Sequence, residues 1–194
     1  MGAAEKLGRR LTVEEFLAAD PASFGSAWRY ELIDGVPVGQ AAPSPEHGAI
    51  MSNLSTALNL ALRGNPDCRP EDATAAVPRN KRNDRARIPD VMVRCNGKPV
   101  VLFEIVSPSE ERCPRVRNEK RRDLMSVDGV LEIVEVAQDD FACQIYRKAG
   151  DLWAYDSAEG AEGVLRLESL GVDIPLAELY RKVLPPPDTV PREA

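Results

Sequence analysis

A chain of 194 residues with a hydrophobic fraction of 43% has the length and composition of a folded domain, which excludes a disordered protein. No apolar run approaches the roughly 20 residues of a membrane span. The first residues also lack the apolar core of a signal peptide, so we expect a cytoplasmic protein with no membrane partner. The net charge of −6 argues against a general nucleic-acid binder.

The cysteines and the histidine limit the metal chemistry. Four cysteines lie far apart with no C-x-x-C pair, which argues against structural zinc and predicts free thiols in a reducing compartment. His47 is the single histidine of the chain, so a multi-histidine metal site within one chain is excluded.

Basic charge is concentrated in two segments, residues 79–94 and residues 112–122. Together they hold 12 of the 25 basic residues but 3 of the 31 acidic ones. Two interpretations stay open: two solvated arginine-rich surfaces, or a site for an anionic substrate such as DNA. In the second, Arg87, Arg117 and Arg121 are candidate nucleic-acid contacts.

The first half of the sequence predicts a helix, a hairpin and a longer helix. Thr12 opens TVEEFLAA with Glu15 three residues later, a capping-box start for a short helix. WRYELIDGVPVGQ alternates and turns at residues 34–35, as a hairpin does. SPEHGAIMSNLSTALNLALRG has one apolar helical stripe and a glycine at its end. Residues 65–86 are predicted to form a loop with a short strand near residues 75–77.

The second half predicts strands on either side of one helix. Residues 86–109 read as two apolar strands around an Asn-Gly turn, and a helix follows from about residue 114 to residue 127. GVLEIVEV, FACQIYRKA, DLWAYD and GVLRLES are strand-like, and PLAELY is a short helix. This order predicts an α+β fold with a mixed central β-sheet flanked by helices, in one domain over residues 1–184. Residues 185–194 are Pro-rich and are predicted to be a flexible tail.

Two carboxylates interrupt the most strand-like part of the sequence. Within residues 86–109, Asp90 lies in the first strand and Glu104 in the second. A loop centred on Gly97 places these acids opposite each other, about 5 Å apart, whereas a two-residue Asn-Gly loop places them on opposite faces. In the facing register, a repulsion of roughly 3 kcal/mol has to be offset by a proton, an arginine or a divalent cation. Mg²⁺ is the natural candidate.

Lys120 falls on the apolar face of the helix that follows the hairpin. Val116, Lys120, Leu124 and Val127 share one helical face, because they are spaced four, four and three residues apart. Either Lys120 extends along the helix edge to solvent, or its ammonium lies near the two carboxylates. In the second arrangement it can polarise a water or stabilise charge on a phosphate.

Asp90, Glu104 and Lys120 resemble the residues of a known family pattern. A Pro-Asp with an acid fourteen residues later in the following strand is similar to the pattern of the PD-(D/E)XK nuclease superfamily. More narrowly, residues 11–180 resemble the Uma-two family of restriction-endonuclease-like proteins. The blocks that match, in the family's order, are LTVEEFLAA, RYELIDGVPV, SPEHGAIMSNLSTAL, IPDVMV, FEIVSPS and NEKRRDLM.

The resemblance implies a restriction-endonuclease-like core with an N-terminal extension made of a helix and a β-hairpin. It also implies a hydrolase that uses Mg²⁺ or Mn²⁺ to cut DNA. By this resemblance Asp90 and Glu104 would be metal ligands, with the carbonyl of Ile105 as a third, and Glu31 would be the upstream acid that orients metal or water.

The lysine is displaced from its usual place in the superfamily. That place is two residues after the second acid, where this chain has Val106. The Uma-two family places its lysine on the following helix, and Lys120 in NEK matches that position. The helical-face argument identifies the same residue.

The remaining candidates each have a structural alternative. Glu31 is either functional or an exposed acid on an edge strand. His47 matches a histidine of the family, and it is either a packed or capping residue or a contact to phosphate or water. The aromatic residues interpreted as core or sheet-face residues rather than base-stacking platforms are Trp28, Tyr146, Trp153 and Tyr155.

Three functions are compatible with the sequence. We favour a metal-dependent endonuclease that acts on DNA, as a homodimer whose two sites cut two strands. The displaced lysine motivates the alternative, a catalytically inactive nuclease-fold module that binds nucleic acid or protein. In the third, Asp90 and Glu104 are structural and pair with Arg87 or Arg94.

Overall fold

The computed structural model describes residues 9–185 of the chain. The predicted tail, residues 185–194, lies outside the described residues except for its first residue. The helices are α1 Val13–Ala18, α2 Pro45–Leu62, α3 Pro108–Glu111, α4 Pro114–Met125 and α5 Leu176–Leu179, with a 3₁₀ turn at Pro21–Ser23. The strands are β1 Arg29–Ile33, β2 Val36–Gln40, β3 Cys68–Asp72, β4 Val91–Cys95, β5 Lys98–Val106, β6 Glu132–Ala137, β7 Ala142–Ala149, β8 Leu152–Glu159, β9 Val164–Leu167 and β10 Val172–Pro175.

Six strands form one mixed sheet in the order β3-β4-β5-β6-β7-β8. β5 and β6 are parallel, and the other neighbours are antiparallel. A parallel pair needs a crossover, which α3 and α4 provide between β5 and β6. β1–β2 and β9–β10 are separate hairpins. The predicted α+β class with a mixed central sheet is therefore confirmed.

Helices cover the two faces of this sheet. α2 buries the apolar stripe that the sequence predicted for it: Ile50, Leu54, Leu58 and Leu62. On the opposite face, α4 buries Leu124 in one cluster with Met92, Leu102 and Ile133. Within residues 9–185, no helix is both long and apolar enough to cross a membrane.

α1 and the β1–β2 hairpin form the predicted N-terminal extension. Thr12 and Glu15 make the predicted capping box. The turn at residues 34–35 has positive φ at both positions, as a two-residue type I′ hairpin requires. Reciprocal backbone hydrogen bonds between Leu32 and Ala86 hold β1 beside the segment that enters β4. This contact brings residues of β1 to the candidate site.

The β4–β5 hairpin combines the two registers that the sequence left open. Its turn is the tight Asn-Gly loop at residues 96–97. A β-bulge within the hairpin then shifts the pairing by one residue, so that Val91 lies opposite Phe103. The Asp90 N–H donates to the Phe103 carbonyl at 3.0 Å, and the same register places Asp90 opposite Glu104. The facing arrangement is correct, but a bulge produces it and not a longer loop.

The segment predicted as a loop, residues 65–86, contains β3, which pairs with β4. The short strand expected near residues 75–77 is reduced to a bridge between Ala76 and Arg87. β10 and α3 were not predicted either. These elements are all four or five residues long, too short for a clear periodic pattern.

Cys68 and Cys95 form a disulfide, so the prediction of four free thiols is wrong for this pair. The two residues lie opposite each other in the β3–β4 pairing. Because the sequence pattern did not predict β3, it did not predict that these two cysteines face each other. Cys113 and Cys143 are free thiols, as predicted.

Candidate active site

The four residues predicted as catalytic converge beside β5. The Lys120 Nζ in α4 donates to Glu104 Oε2 at 2.8 Å and lies 3.2 Å from Glu31 Oε1 in β1. Leu124, one turn later on the same helical face, is fully buried and holds this face of α4 on the sheet. The Lys120 side chain is 17% exposed, so the alternative in which it extends to solvent is wrong.

Arg29, His47 and a backbone N–H surround the carboxylate of Asp90. Its Oδ1 accepts a hydrogen bond from Arg29 Nη2 at 2.7 Å and lies 3.3 Å from His47 Nε2. Its Oδ2 accepts from the Ile105 N–H at 2.8 Å. Burial raises the pKa of a carboxyl group, but His47, Arg29 and Lys120 outweigh burial and lower the pKa of Asp90 to about 2. Asp90 is therefore ionised throughout the physiological range.

Glu104 shows the opposite balance. Its Oε2 accepts from Lys120, but its Oε1 is buried and has no hydrogen-bond partner among the described residues. Burial raises the pKa of Glu104 to about 8, with a contribution from the charges of Asp90 and Glu31, although the charge of Lys120 opposes the rise. Burial therefore favours the protonated form of Glu104, and a further cation at the site would favour the charged form.

Glu31 is a buried anchor for Lys120. Its carboxylate accepts from the Ile88 N–H and from Arg87 Nη1, both at 3.0 Å. Burial raises its pKa, but Lys120, the Ile88 N–H and Arg87 outweigh burial, so the pKa of Glu31 lies below the ordinary value. The side chain is 2% exposed, so the alternative of an exposed acid on an edge strand is wrong.

His47 reaches the site from the first turn of α2. Ser44 caps this helix by accepting from the His47 N–H at 3.2 Å. The imidazole then points to Asp90, and its side chain is 14% exposed. A contact from His47 to phosphate or water stays a prediction.

The three arginines predicted as nucleic-acid contacts lie in internal ion pairs. Arg87 is 3% exposed, and its Nε donates to Asp123 at 2.7 Å. Arg117 and Arg121 both donate to Glu135, at 2.8 and 2.7 Å. The basic residues of the two segments that are exposed and form no ion pair within residues 9–185 are Lys81, Arg82, Arg112, Arg115 and Arg122.

Arg29 is the site residue that the sequence analysis missed. It lies two residues before Glu31 on β1, so strand alternation places both on one face, and this spacing was a usable signal. Its Nε and Nη1 are buried without a partner among the described residues. The expectation that Arg87 or Arg94 pairs with Asp90 is wrong, because Arg29 is the arginine that does so.

A cavity of about 350 Å³ opens beside Glu104 and Lys120, between α4 and strands β5 and β6. Val116 lines it and is 65% exposed, because the first turn of α4 extends beyond the buried part of the helix. The predicted apolar face of α4 therefore holds for Leu124 and Val127 but not for Val116. The cavity gives the Glu104–Lys120 pair access to solvent.

The carboxylates fit a cation that needs few protein ligands. Within residues 9–185, no three side chains of His, Cys, Asp or Glu are arranged to hold a metal ion by themselves. Mg²⁺ takes one or two carboxylates and fills its remaining positions with water and phosphate oxygens. The unpartnered Oε1 of Glu104, in register with the ionised Asp90, meets that requirement.

Comparisons with known proteins identify a family and a similar fold. Residues 13–177 match the profile of the Uma2 family, described as "Putative restriction endonuclease". Among solved structures, the fold is similar to that of a putative nuclease belonging to DUF820 from Anabaena variabilis. The TM-score is 0.67 and the identity 17%, over 90% of this chain and 99% of that chain. No curated protein matches significantly. The structural match shows the fold, and the family match supports a nuclease-like function.

Proposed function

The chain belongs to the Uma2 family of putative restriction endonucleases, and we propose that it is a metal-dependent endonuclease that hydrolyses phosphodiester bonds in DNA. The observation that carries the proposal is the buried Oε1 of Glu104, which has no partner in the part of the chain that the structure describes although Asp90 and Lys120 converge on the same site. A buried acceptor without a partner costs about 1–3 kcal/mol, so its retention indicates a ligand.

Asp90, Glu104 and the carbonyl of Ile105 would hold Mg²⁺ or Mn²⁺. When bound, such a cation lowers the pKa of a coordinated water and polarises the phosphate. The low pKa of Asp90 supports this assignment, because this carboxylate needs to lose no proton before it binds a cation.

The other side chains act on the substrate directly or hold those that do. The Lys120 ammonium is the group placed to donate to a phosphate oxygen on which charge develops. Glu31 orients it through the 3.2 Å contact. Arg29 and His47 fix the carboxylate plane of Asp90 from one side, while the Ile105 N–H holds its other oxygen.

One observation favours a second candidate, the catalytically inactive module. Both oxygens of Asp90 already accept from protein donors, so a cation has to share them with Arg29 and the Ile105 N–H. An inactive module binds nucleic acid or protein without a metal and produces no strand breaks.

Cleavage of supercoiled plasmid by the purified chain in Mg²⁺, Mn²⁺ and EDTA tests the proposal. We expect metal-dependent nicking that disappears in Asp90→Asn, because the amide cannot supply a charged ligand. Asp173→Asn is the matched control, since Asp173 is an exposed acid on β10. Nicking that persists in Asp90→Asn would contradict the assignment of Asp90 as a metal ligand. Folded protein that never nicks DNA would favour the inactive module.

A further inference from the structure

The sheet face that carries Glu104 is covered by α4 over β5 and β6. It is partly covered over β7, where Arg121 lies above Tyr146, and it is open at Tyr155 and Ser157 of β8. Because residues alternate between faces, every second residue of β7 and β8 belongs to this open face. Its residues are Gln144, Tyr146, Lys148, Trp153, Tyr155 and Ser157. Tyr155 is 61% exposed, so its ring is available to a partner.

The open face is continuous with the candidate active site. Glu104, Glu135 and Gln144 lie side by side in the registers of β5, β6 and β7. Gln144 is therefore two strand spacings, roughly 10 Å, from Glu104. Arg121 lines both the cavity at Glu104 and a second cavity of about 490 Å³ on the other side of α4. The residues that line the second cavity are Arg115, Asn118, Arg121, Arg122 and Met125.

Aromatic rings and cations lie together on this surface. The rings of Tyr146 and Tyr155 are 5.6 Å apart, and the Arg121 guanidinium lies 4.4 Å above the Tyr146 ring. Arg115 and Arg122 lie beside Arg121 in the second cavity, and Lys148 lies on the open face. All three are exposed and form no ion pair within the described residues. Of the carboxylates near this surface, Glu135 is neutralised by two arginines, whereas Glu110 lines the cavity at Glu104 and Glu159 lies at the end of β8. In a chain of net charge −6, this local excess of cations is complementary to a polyanion.

We propose that the open face binds an unpaired stretch of DNA next to the bond that is cut. A base stacks on Tyr155, and Arg115, Arg122 and Lys148 contact the phosphates of the same strand. Stacking on an open face requires a base that is free of its pairing partner, so the preferred substrate contains a single-stranded segment. The cleavage part of this inference rests on the proposed endonuclease function, but the binding part does not.

Fluorescence anisotropy in EDTA separates binding from cleavage. The probes are labelled oligo(dT) and a blunt duplex of the same length. The protein is expected to bind the single strand more tightly than the duplex. Tyr155→Ala is expected to weaken single-strand binding roughly 5-fold or more, the lower end of the loss of one stacked base. Tyr155→Trp is expected to retain it, because the larger ring still stacks.

Leu152→Ala is the matched control. Leu152 is 75% exposed on the same edge strand, but its side chain lies on the opposite face. It is expected to leave the affinity unchanged. Lys148→Glu is expected to weaken binding and to reduce its salt dependence, because a phosphate contact is lost. The unfolding temperature of each variant is measured to test whether it is folded.

Several results would overturn the proposal. One is an unchanged affinity of Tyr155→Ala for single-stranded DNA, and another is an equal affinity of the protein for single strand and duplex. A third is a Tyr155→Ala variant that loses self-association in sedimentation and keeps its DNA affinity. The last result would make the face a contact between two copies. Tyr155-dependent binding by a protein that never cuts DNA would support the surface and refute the endonuclease. Metal-dependent cutting of DNA together with binding that does not depend on Tyr155 would support the endonuclease and refute the binding surface.

Discussion

Glu104 and Glu135 are neighbours in one sheet and differ in how their oxygens are satisfied. Both are buried, and they lie in register on the parallel strands β5 and β6 beneath α4. Glu135 accepts one hydrogen bond from Arg117 and two from Arg121, which involve both of its oxygens. Glu104 accepts one bond, and within residues 9–185 its second, buried oxygen has no partner. Burial of a carboxylate therefore does not identify the site, and the missing partner does.

The same helix produces both environments. Lys120 and Arg121 are consecutive in α4, and successive helical residues point about 100° apart. Lys120 therefore reaches Glu104 on β5, while Arg121 reaches Glu135 on β6. Glu135 accepts three hydrogen bonds from two arginines, and these involve both of its oxygens. Glu104 accepts one hydrogen bond, from the Lys120 ammonium that also contacts Glu31.

The largest expected effect is on cleavage by Glu104→Gln. The amide is nearly the same size but cannot act as an anionic ligand, so we expect the cleavage rate to fall at least about 100-fold, as when a preorganised electrostatic group is lost. Stability is expected to change little, because Lys120 keeps Glu31 as a counter-charge and one oxygen of the Glu104 carboxyl group has no partner among the described residues. Plasmid nicking rates and urea unfolding curves measure the two effects. Cleavage of DNA at the normal rate by Glu104→Gln would contradict the difference in role between Glu104 and Glu135.

The matched substitution, Glu135→Gln, is expected to act on stability instead. It leaves two guanidinium groups beside each other without their counter-charge, and the loss of one partner of a buried pair costs about 3–5 kcal/mol. The arginine side chains are 18% exposed and can turn toward solvent, so we expect a loss of about 2 kcal/mol. Urea unfolding measures it, and the folded variant should still nick DNA. Unchanged stability would show that the Glu135 cluster contributes nothing to the fold.

The sequence placed the candidate catalytic residues better than it placed their neighbours. Lys120 could be placed from helical spacing alone, and Asp90 and Glu104 from strand alternation, because both are local periodicities. The bulge that puts the two acids opposite each other leaves no local signature in the sequence.

Long-range pairing accounts for the residues that were missed. Arg121 was predicted to bind phosphate, but it finds Glu135 through the parallel β5–β6 register, which no local pattern predicts. β3 was missed because CRPED contains a proline and two acids, residues that suit an edge strand but do not predict one. Without β3, the Cys68–Cys95 disulfide could not be predicted.

A smaller effect is expected on the pH dependence of stability, where Glu104 and Glu135 should also differ. In EDTA, the pKa of Glu104 is about 8 in the folded protein, against an ordinary value of 4.5. Between these values the unfolded chain loses a proton that the folded chain keeps, so the free energy of unfolding falls as pH rises and levels off above pH 8. The pKa of Asp90 is lowered to about 2, so its titration changes the free energy of unfolding at lower pH than that of Glu104.

Glu104→Gln has no such proton, so the stability of the wild type relative to this variant should decline from pH 5 to pH 8. We expect a decline of more than about 1 kcal/mol, or 2–4 °C in Tm. Thermal unfolding of both proteins across this range measures it, and a constant difference would contradict the raised pKa. Added Mg²⁺ should stabilise the wild type more at pH 8 than at pH 6, because the ion competes with a proton on Glu104. The same ion should not stabilise Glu104→Gln, whereas Glu135→Gln should still respond, since Glu135 already has its cations.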